Sequence, residues 1–340
     1  MATIVGLRHF QIKGNGSSSD RQLCRVYKNG RQQFQVDIVI DAYDAQGAVV
    51  ALTPAQLNSV QMVNYDSGAN LGTQLNQSYY KNAYDFFPSK RLQDTGIWRS
   101  VVKALRACLR TGRKQSMSTV TMYFSVPTSI SVASLQIAAK ITLDGGANYA
   151  TNNRNADPGG HFNNGGFNSS IVLEPVTPYT LTAQDFQIVK NPSPLGWGSG
   201  SNYTGDPLRY LDLWIITLRN TAYKILGSDI PTLDYVHWFS QYVRGGNDLD
   251  TCHWALPVLP LNSTITLGWN RSGGGSTTKD IYVQPFAQAG RAYAIIERAK
   301  TFQIHDYRPK RITYIDNFGC EHSVVLRPNN NGTTFQIDDQ

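Results

Sequence analysis

Residues 34–42, Phe34-Gln35-Val36-Asp37-Ile38-Val39-Ile40-Asp41-Ala42, alternate apolar and other side chains along their length. Successive strand residues point to opposite faces, so Phe34, Val36, Ile38, Ile40 and Ala42 share one face and Asp37 and Asp41 take the other. That is a half-buried strand of an antiparallel sheet, with one face on a core and one toward water. The flanking sequence repeats the device. Residues 23–27 supply a preceding strand, and Lys28-Asn29-Gly30 reads as the hairpin turn between the two. A second tight turn at 44–47 leads into 48–52. Thr53 caps a short helical turn that Pro54 opens, and residues 60–65 return to strand. Val120, Met122, Phe124 and Val126 alternate over 119–126, and Leu135, Ile137, Ala139, Ile141 and Leu143 do so over 135–143.

Composition agrees. The chain has 18 tyrosines and 29 glycines but only four methionines, the usage of strands joined by turns. Glu174, Glu297 and Glu321 are the only glutamates, and the charged fraction is 16%. A polar but weakly charged surface suits proteins that pack against their own copies or work outside cells.

One stretch departs from period 2. In residues 94–114, DTGIWRSVVKALRACLRTGRK, the side chains Trp98, Val101, Val102, Leu105 and Leu109 recur at helical spacing. The spacing predicts one amphipathic helix near 96–111, with Asp94 at its start and cations toward its end, where the macrodipole favours them. Arg99, Lys103, Arg106 and Arg110 share its other face, and Arg113 and Lys114 follow. These six are the expected contact with a polyanion or a neighbouring subunit: nucleic acid, anionic lipid or an acidic patch. The net charge of +7 points the same way.

The second half is again β, with alternating segments at 210–218, 236–243, 265–269, 281–286, 293–298, 312–315, 324–326 and 334–337. The expected class is therefore all-β, mainly antiparallel, a β-sandwich or jelly roll, in two β domains. The Asn- and Gly-rich tract 147–170 divides them, giving a domain over 1–146, a polar loop or linker over 147–170 and a second domain over 171–340. A hairpin over 116–143 has the alternation of a membrane-inserting segment, although Pro127 interrupts it. No run of apolar residues is long enough for a transmembrane helix, and the N-terminus has no secretory h-region. The expected location is a virion or the extracellular space after cytoplasmic synthesis.

No motif for catalysis, metal or nucleotide binding is present, so neither an enzyme nor a cofactor is expected. HExxH, GxSxG and GxxxxGK[ST] are all missing. Cys320-Glu321-His322 is the densest trio of ligand-type residues; on a strand, Cys320 and His322 share one side and Glu321 faces away. Among the four cysteines, Cys252 and Cys320 form the pair to test for a disulfide. Asp248-Leu249-Asp250 offers loop oxygens of the kind calcium needs, but without the longer ligand pattern. The aromatics Tyr149, His161, Phe162, Phe167, Trp197 and Tyr203 lie on polar segments and are expected to touch a glycan or a neighbouring subunit.

In general type the chain resembles a virion coat or spike subunit: β-sandwich, rich in Asn, Gln, Ser and Thr, with long polar loops. That likeness implies a phage-like, self-assembling structural protein, a homo-oligomer in a larger assembly. The rival expectation is a secreted-type β protein that binds a glycan or forms pores in membranes.

Overall fold

The structure, a computed structural model, describes residues 4–14, 21–87, 117–152, 167–190, 208–229, 243–245, 248–255, 264–270, 276–282, 290–300, 310–329 and 334–340. The chain divides into two compact units, Met1–Pro178 and Tyr179–Gln340. Both are built from strands, almost all antiparallel.

The first unit contains β1 (Ile4–Gly14), β2 (Arg21–Tyr27), β3 (Gln33–Asp44), β4 (Val49–Val50), α1 (Pro54–Asn58), β5 (Gln61–Asn64) and β6 (Asn76–Ser78). These are followed by β7 (Ser118–Ser125), β8 (Leu135–Thr142), β9 (Asn148–Ala150) and β10 (Ser170–Val176). One sheet has the order β1-β3-β7-β6 with β4 on β3, and the other β2-β10-β8-β5 with β9 on β8. The period-2 reading of β3 holds: Phe34, Val36, Ile38, Ile40 and Ala42 are all buried. They meet Val120, Met122 and Phe124 of β7, and Ile137, Ala139, Ile141, Ile171 and Leu173 from the second sheet, in one apolar core. Two sheets sharing one core make a sandwich. Asp41 is the exception to the pattern: it too is buried, and no described group bonds its Oδ1. At α1 the Thr53 hydroxyl accepts the Gln56 N–H at 3.3 Å while Gln56 Oε1 accepts the Thr53 N–H at 2.8 Å, a reciprocal cap that starts the helix.

Three expectations are corrected here. Strands β7 and β8 lie in different sheets with their apolar sides in the shared core, so 116–143 does not form a hairpin in this fold. The tract 147–170 does not link two domains. Tyr149 of β9 pairs with Ile141, Thr151 Oγ1 accepts the Ala139 N–H at 3.0 Å, and Ser169 Oγ accepts the Ile12 N–H at 3.0 Å. Both described ends of the tract therefore belong to the first unit. So does β10, which begins the expected second domain: it pairs in parallel with β2 and antiparallel with β8, and the boundary falls at 178/179.

The second unit contains β11 (Phe186–Lys190), β12 (Leu208–Leu218), β13 (Ile225–Ser228), β14 (Val243–Gly245), β15 (Asp248–Ala255), β16 (Thr264–Asn270) and β17 (Ser276–Tyr282). It ends with β18 (Ala292–Lys300), β19 (Lys310–Asp316), β20 (Glu321–Asn329) and β21 (Thr334–Asp339). Its sheets run β11-β12-β18-β15-β14 and β13-β19-β20-β21, with β16 and β17 as a separate hairpin. Phe186, Ile216, Leu218 and Ala292 of the first sheet share a core with Ile312, Tyr314, Val324, Leu326 and Phe335 of the second. The β19–β20 turn lies at 316–319, where Gly319 supplies the φ of 77° it requires. Residues 248–250 open a strand, not a calcium-type loop.

Candidate functional site

The expected helix near 96–111, and with it Arg99, Lys103, Arg106, Arg110, Arg113 and Lys114, lies outside the described residues. So do His161, Phe162, Trp197 and Tyr203. The two expected contact aromatics that are described face inward. Tyr149 is buried in the first core, where burial raises its hydroxyl pKa, and Phe167 packs edge-on against Phe10 at 6.0 Å. Their rings fill the sandwich because β9 pairs with β8 and draws the start of the polar tract into the sheet.

Aromatic exposure is found elsewhere. After β6 the chain leaves the sheet and runs as an irregular strap over 79–87 that carries Tyr79, Tyr80, Tyr84, Phe86 and Phe87. Two adjacent, buried glutamines hold it. Gln33 donates to the Tyr80 carbonyl at 3.3 Å and accepts the Asn82 N–H at 2.8 Å, and Gln32 donates to the Asp85 carbonyl at 3.0 Å. Asn82 Nδ2 donates to the Arg31 carbonyl at 2.5 Å. The buried amides find their partners in the strap's backbone and so hold it against the sheet. At one end Phe87 packs on Tyr27 at 4.9 Å. Nearby, Phe86 lies parallel to Tyr123 of β7, at 9° and 6.4 Å, and the Lys81 ammonium is 5.1 Å from the Phe86 ring centre. Tyr79 and Tyr80 are left exposed, Tyr80 at 83%. The doublets Tyr79-Tyr80 and Phe86-Phe87 are visible in the sequence, but they follow neither period, so pattern reading passes over them.

Beside the strap, the outward row of the first sheet is polar. Gln35 Nε2 donates to both carboxylate oxygens of Asp37 at 3.0 Å, and the Thr121 hydroxyl donates to Oδ1 at 2.7 Å. Gln35 stands opposite Tyr123 and Asp37 opposite Thr121 in the β3–β7 register. An oriented carboxylate thus sits one row from a pair of parallel rings.

The second unit holds the densest cluster of titratable groups described. Asp316 Oδ1 accepts the N–H groups of Phe318 and Cys320 at 2.8 and 2.9 Å. Its Oδ2 accepts the Tyr179 hydroxyl and lies 3.0 Å from His322 Nε2. The Leu181 N–H donates to His322 Nδ1 at 3.1 Å, so the network assigns the neutral ring's proton to Nε2, which donates it to Asp316. As the alternation predicts, Cys320 and His322 are buried and Glu321 is exposed. With both ring nitrogens engaged, His322 has no acceptor left to activate Cys320. The cluster ties residues 179–181 to β19 and β20, and it is a latch by construction. Burial raises the Tyr179 pKa first, and its hydrogen bond to Asp316 raises it further. Cys320 is a buried free thiol, so the pair singled out for testing, Cys252 and Cys320, is not a disulfide. Among the described residues no group of three or more His, Cys, Asp or Glu is placed to hold a metal ion, and no helix is long and apolar enough to cross a membrane.

No family model matches the chain, and no curated protein does. Among solved structures it is similar to the C-terminal domain of the Streptococcus agalactiae AgI/II polypeptide BspA. That match has 10% identity and a TM-score of 0.22 over 98% of this chain and 100% of that one. It is also similar to the C-terminal domain of the Streptococcus pyogenes antigen I/II-family protein AspA, with 10% identity and a TM-score of 0.22 over 97% and 99%. At such scores neither likeness bears on function.

Proposed function

We propose that the chain is a non-enzymatic structural protein that assembles with copies of itself into a larger particle of virion type, as a capsid or spike subunit. The observation that carries this reading is where four of the five exposed valine and leucine side chains among the described residues fall, Val132 between β7 and β8 being the fifth. Val5 (47% exposed) is on β1, Leu23 (52%) on β2, Val189 (45%) on β11 and Leu226 (38%) on β13. Each of these strands is a terminal strand of its sheet among the described residues. A sheet edge offers unpaired backbone groups, and monomeric proteins blunt it with charge, proline or cover. Here all four edges expose an apolar side chain, beside an exposed charge on three of them (Arg8, Arg25 and Lys190), and that apolar area favours contact between chains. The low charged fraction of 16% supports the same reading, because self-contact surfaces shed charge.

The test is to charge two edges, one in each unit, with Leu23→Lys and Val189→Lys. Both side chains face solvent, so each unit should keep its strand circular dichroism and its cooperative melt. Particles seen by negative stain and light scattering for the parent chain should give way to smaller species. A parent chain that stays monomeric at high concentration would sink the reading.

A further inference from the structure

We infer that the outward face of the first sheet, where the 79–87 strap meets β3 and β7, is a binding site for a neutral carbohydrate. Three features of the face converge on that ligand class. The first is the ring pair. Phe86 and Tyr123 are parallel to 9° with centres 6.4 Å apart, an offset pair in which both rings are half-buried and leave part of their apolar surface open to water. Such a surface receives the C–H face of a sugar ring. The second is the carboxylate of Asp37, held by Gln35 and Thr121 in the adjoining row. It is half-buried and already oriented, so it accepts hydroxyl protons without an ordering cost at the moment of binding. The third is construction. Gln32 and Gln33 spend buried amides on fixing the strap's backbone, and Lys81 is pinned between the Phe86 ring and the Tyr84 carbonyl at 3.4 Å. With Tyr80 exposed and Tyr79 and Tyr84 nearby along the strap, apolar area stays in water that burial in the fold would otherwise have covered. Two exposed tyrosines and a half-buried Phe86 on a strap fixed by buried hydrogen bonds are arranged for contact.

Other occupants fit less well. The Asp37 carboxylate offsets the strap's one cation, Lys81, whose ammonium is turned to the Phe86 ring and the Tyr84 carbonyl, so the strap and rings have no excess positive charge to draw a nucleic-acid backbone or an anionic headgroup. A second copy is better matched by the aliphatic edges of β1, β2, β11 and β13 than by a row of hydroxyl, amide and carboxylate groups. The inference adds a ligand to the self-assembly reading and does not depend on it.

The test uses the full chain and a panel of neutral oligosaccharides built from glucose, galactose, mannose and N-acetylhexosamine units. Saturation-transfer NMR and calorimetry detect the binding, and light scattering follows assembly in parallel. At least one saccharide should bind, with transfer to its ring C–H protons. Tyr123→Ala and, separately, Phe86→Ser on the strap should each weaken it by about tenfold or more. Asp37→Asn, which keeps the shape and removes the charge, should weaken it by a similar factor. No binding across the panel, or binding that these three variants leave unchanged, overturns the inference. If the same variants abolish assembly while the parent binds no saccharide, the face is a subunit contact; the inference fails and the self-assembly reading stands. If the parent binds saccharide and never assembles, the reverse holds.

Discussion

Between the sheets of the first unit lie Phe34, Ile38, Met122, Phe124 and Ile137, and the polar side chains Gln32, Gln56, Thr151 and Ser169 are buried around them. Each of those four bonds a backbone group of another segment or an adjoining turn. The second unit pairs a comparable apolar set, Ile216, Ile312, Val324 and Leu326, with a buried carboxylate, imidazole and phenol meeting at Asp316. The difference lies in what holds each unit's ends. In the first, scattered hydroxyls and amides do it, with the Gln56 amide also reaching the Asp144 carboxylate, and no single charged group gathers the bonds. In the second, one ionisable hub takes four hydrogen bonds and ties residues 179–181 down. A neutral bond that is lost costs about 1 kcal/mol net, whereas a buried charge stripped of its partner costs several times more. The second unit should therefore be brittle at one residue, and the first only at its volume.

The largest effect should come from striking each unit at its own weak point. Asp316→Ala removes the acceptor of Tyr179, His322 and two backbone N–H groups, and should cost the second unit about 3–5 kcal/mol. Ile38→Ala empties a fully buried position and should cost the first unit about 2–5 kcal/mol. Methyl NMR signals assigned to each unit, followed through a urea titration, read the two transitions apart. Each substitution should shift the midpoint of its own unit only. A shared shift would show the units to be one cooperative body and dissolve the comparison.

Much of this contrast was legible in the sequence, and the limits are physical. The inward face of β3, the strands β7 and β8, the Thr53 cap and the turn before Cys320 all follow from local periodicity and turn chemistry, which act over a few residues. The opposed faces of Cys320 and Glu321 follow from the same rule. The pairing of β10 with β2 does not. It joins Ser170 to Arg21 across the whole first unit, and no local signal specifies a partner that distant. That missed contact is why the boundary moved from 170/171 to 178/179. The Asp316 hub was out of reach for the same reason, since Tyr179 meets Asp316 across 137 positions. The strap went unread because its aromatics satisfy no period; what orders them is a pair of glutamines on another segment.

Alkaline pH sharpens the comparison more gently. Burial pushes the Cys24 thiol in the first core from its ordinary 9.0 up to about 12. Burial also raises Tyr179 and Tyr314 in the second unit above their ordinary 10.0. The sign follows directly. A raised acid contributes stability that is whole below its unfolded value and is lost as pH climbs toward its folded one. The first unit should thus begin to weaken above pH 9.0, by at most about 4 kcal/mol in full at ~1.4 kcal/mol per pKa unit. The second should begin above pH 10.0. Cys24→Ala should flatten the first profile between those values and leave the second untouched. A first unit whose urea midpoint is already flat from pH 9 to 11 in the parent chain would mean that the thiol is not held neutral by the core.

The smallest effect on folding, and the sharpest on binding, concerns charge. Of the 31 basic and 24 acidic residues, 17 and 10 lie in Met1–Pro178, and 14 and 14 lie in Tyr179–Gln340. The second unit is formally neutral, and the first carries the whole excess of +7. Within the first, residues 88–116 contain eight basic residues and one acidic, so this one segment accounts for all of it. Charge so concentrated is not needed to keep either sandwich soluble, and an anionic partner gives it a use. Reversing Arg106 and Arg110 to glutamate should leave both urea midpoints in place. If the partner is nucleic acid, binding should weaken and the dependence of log affinity on log salt should flatten by about two phosphate contacts, because fewer counterions are released. If the partner is an acidic patch on the next subunit, particle formation should fail while both units stay folded. A double variant that assembles as the parent does, and binds polyanions as tightly at every salt concentration, would leave the segment as solvated surface. The charge asymmetry between the two units would then carry no function.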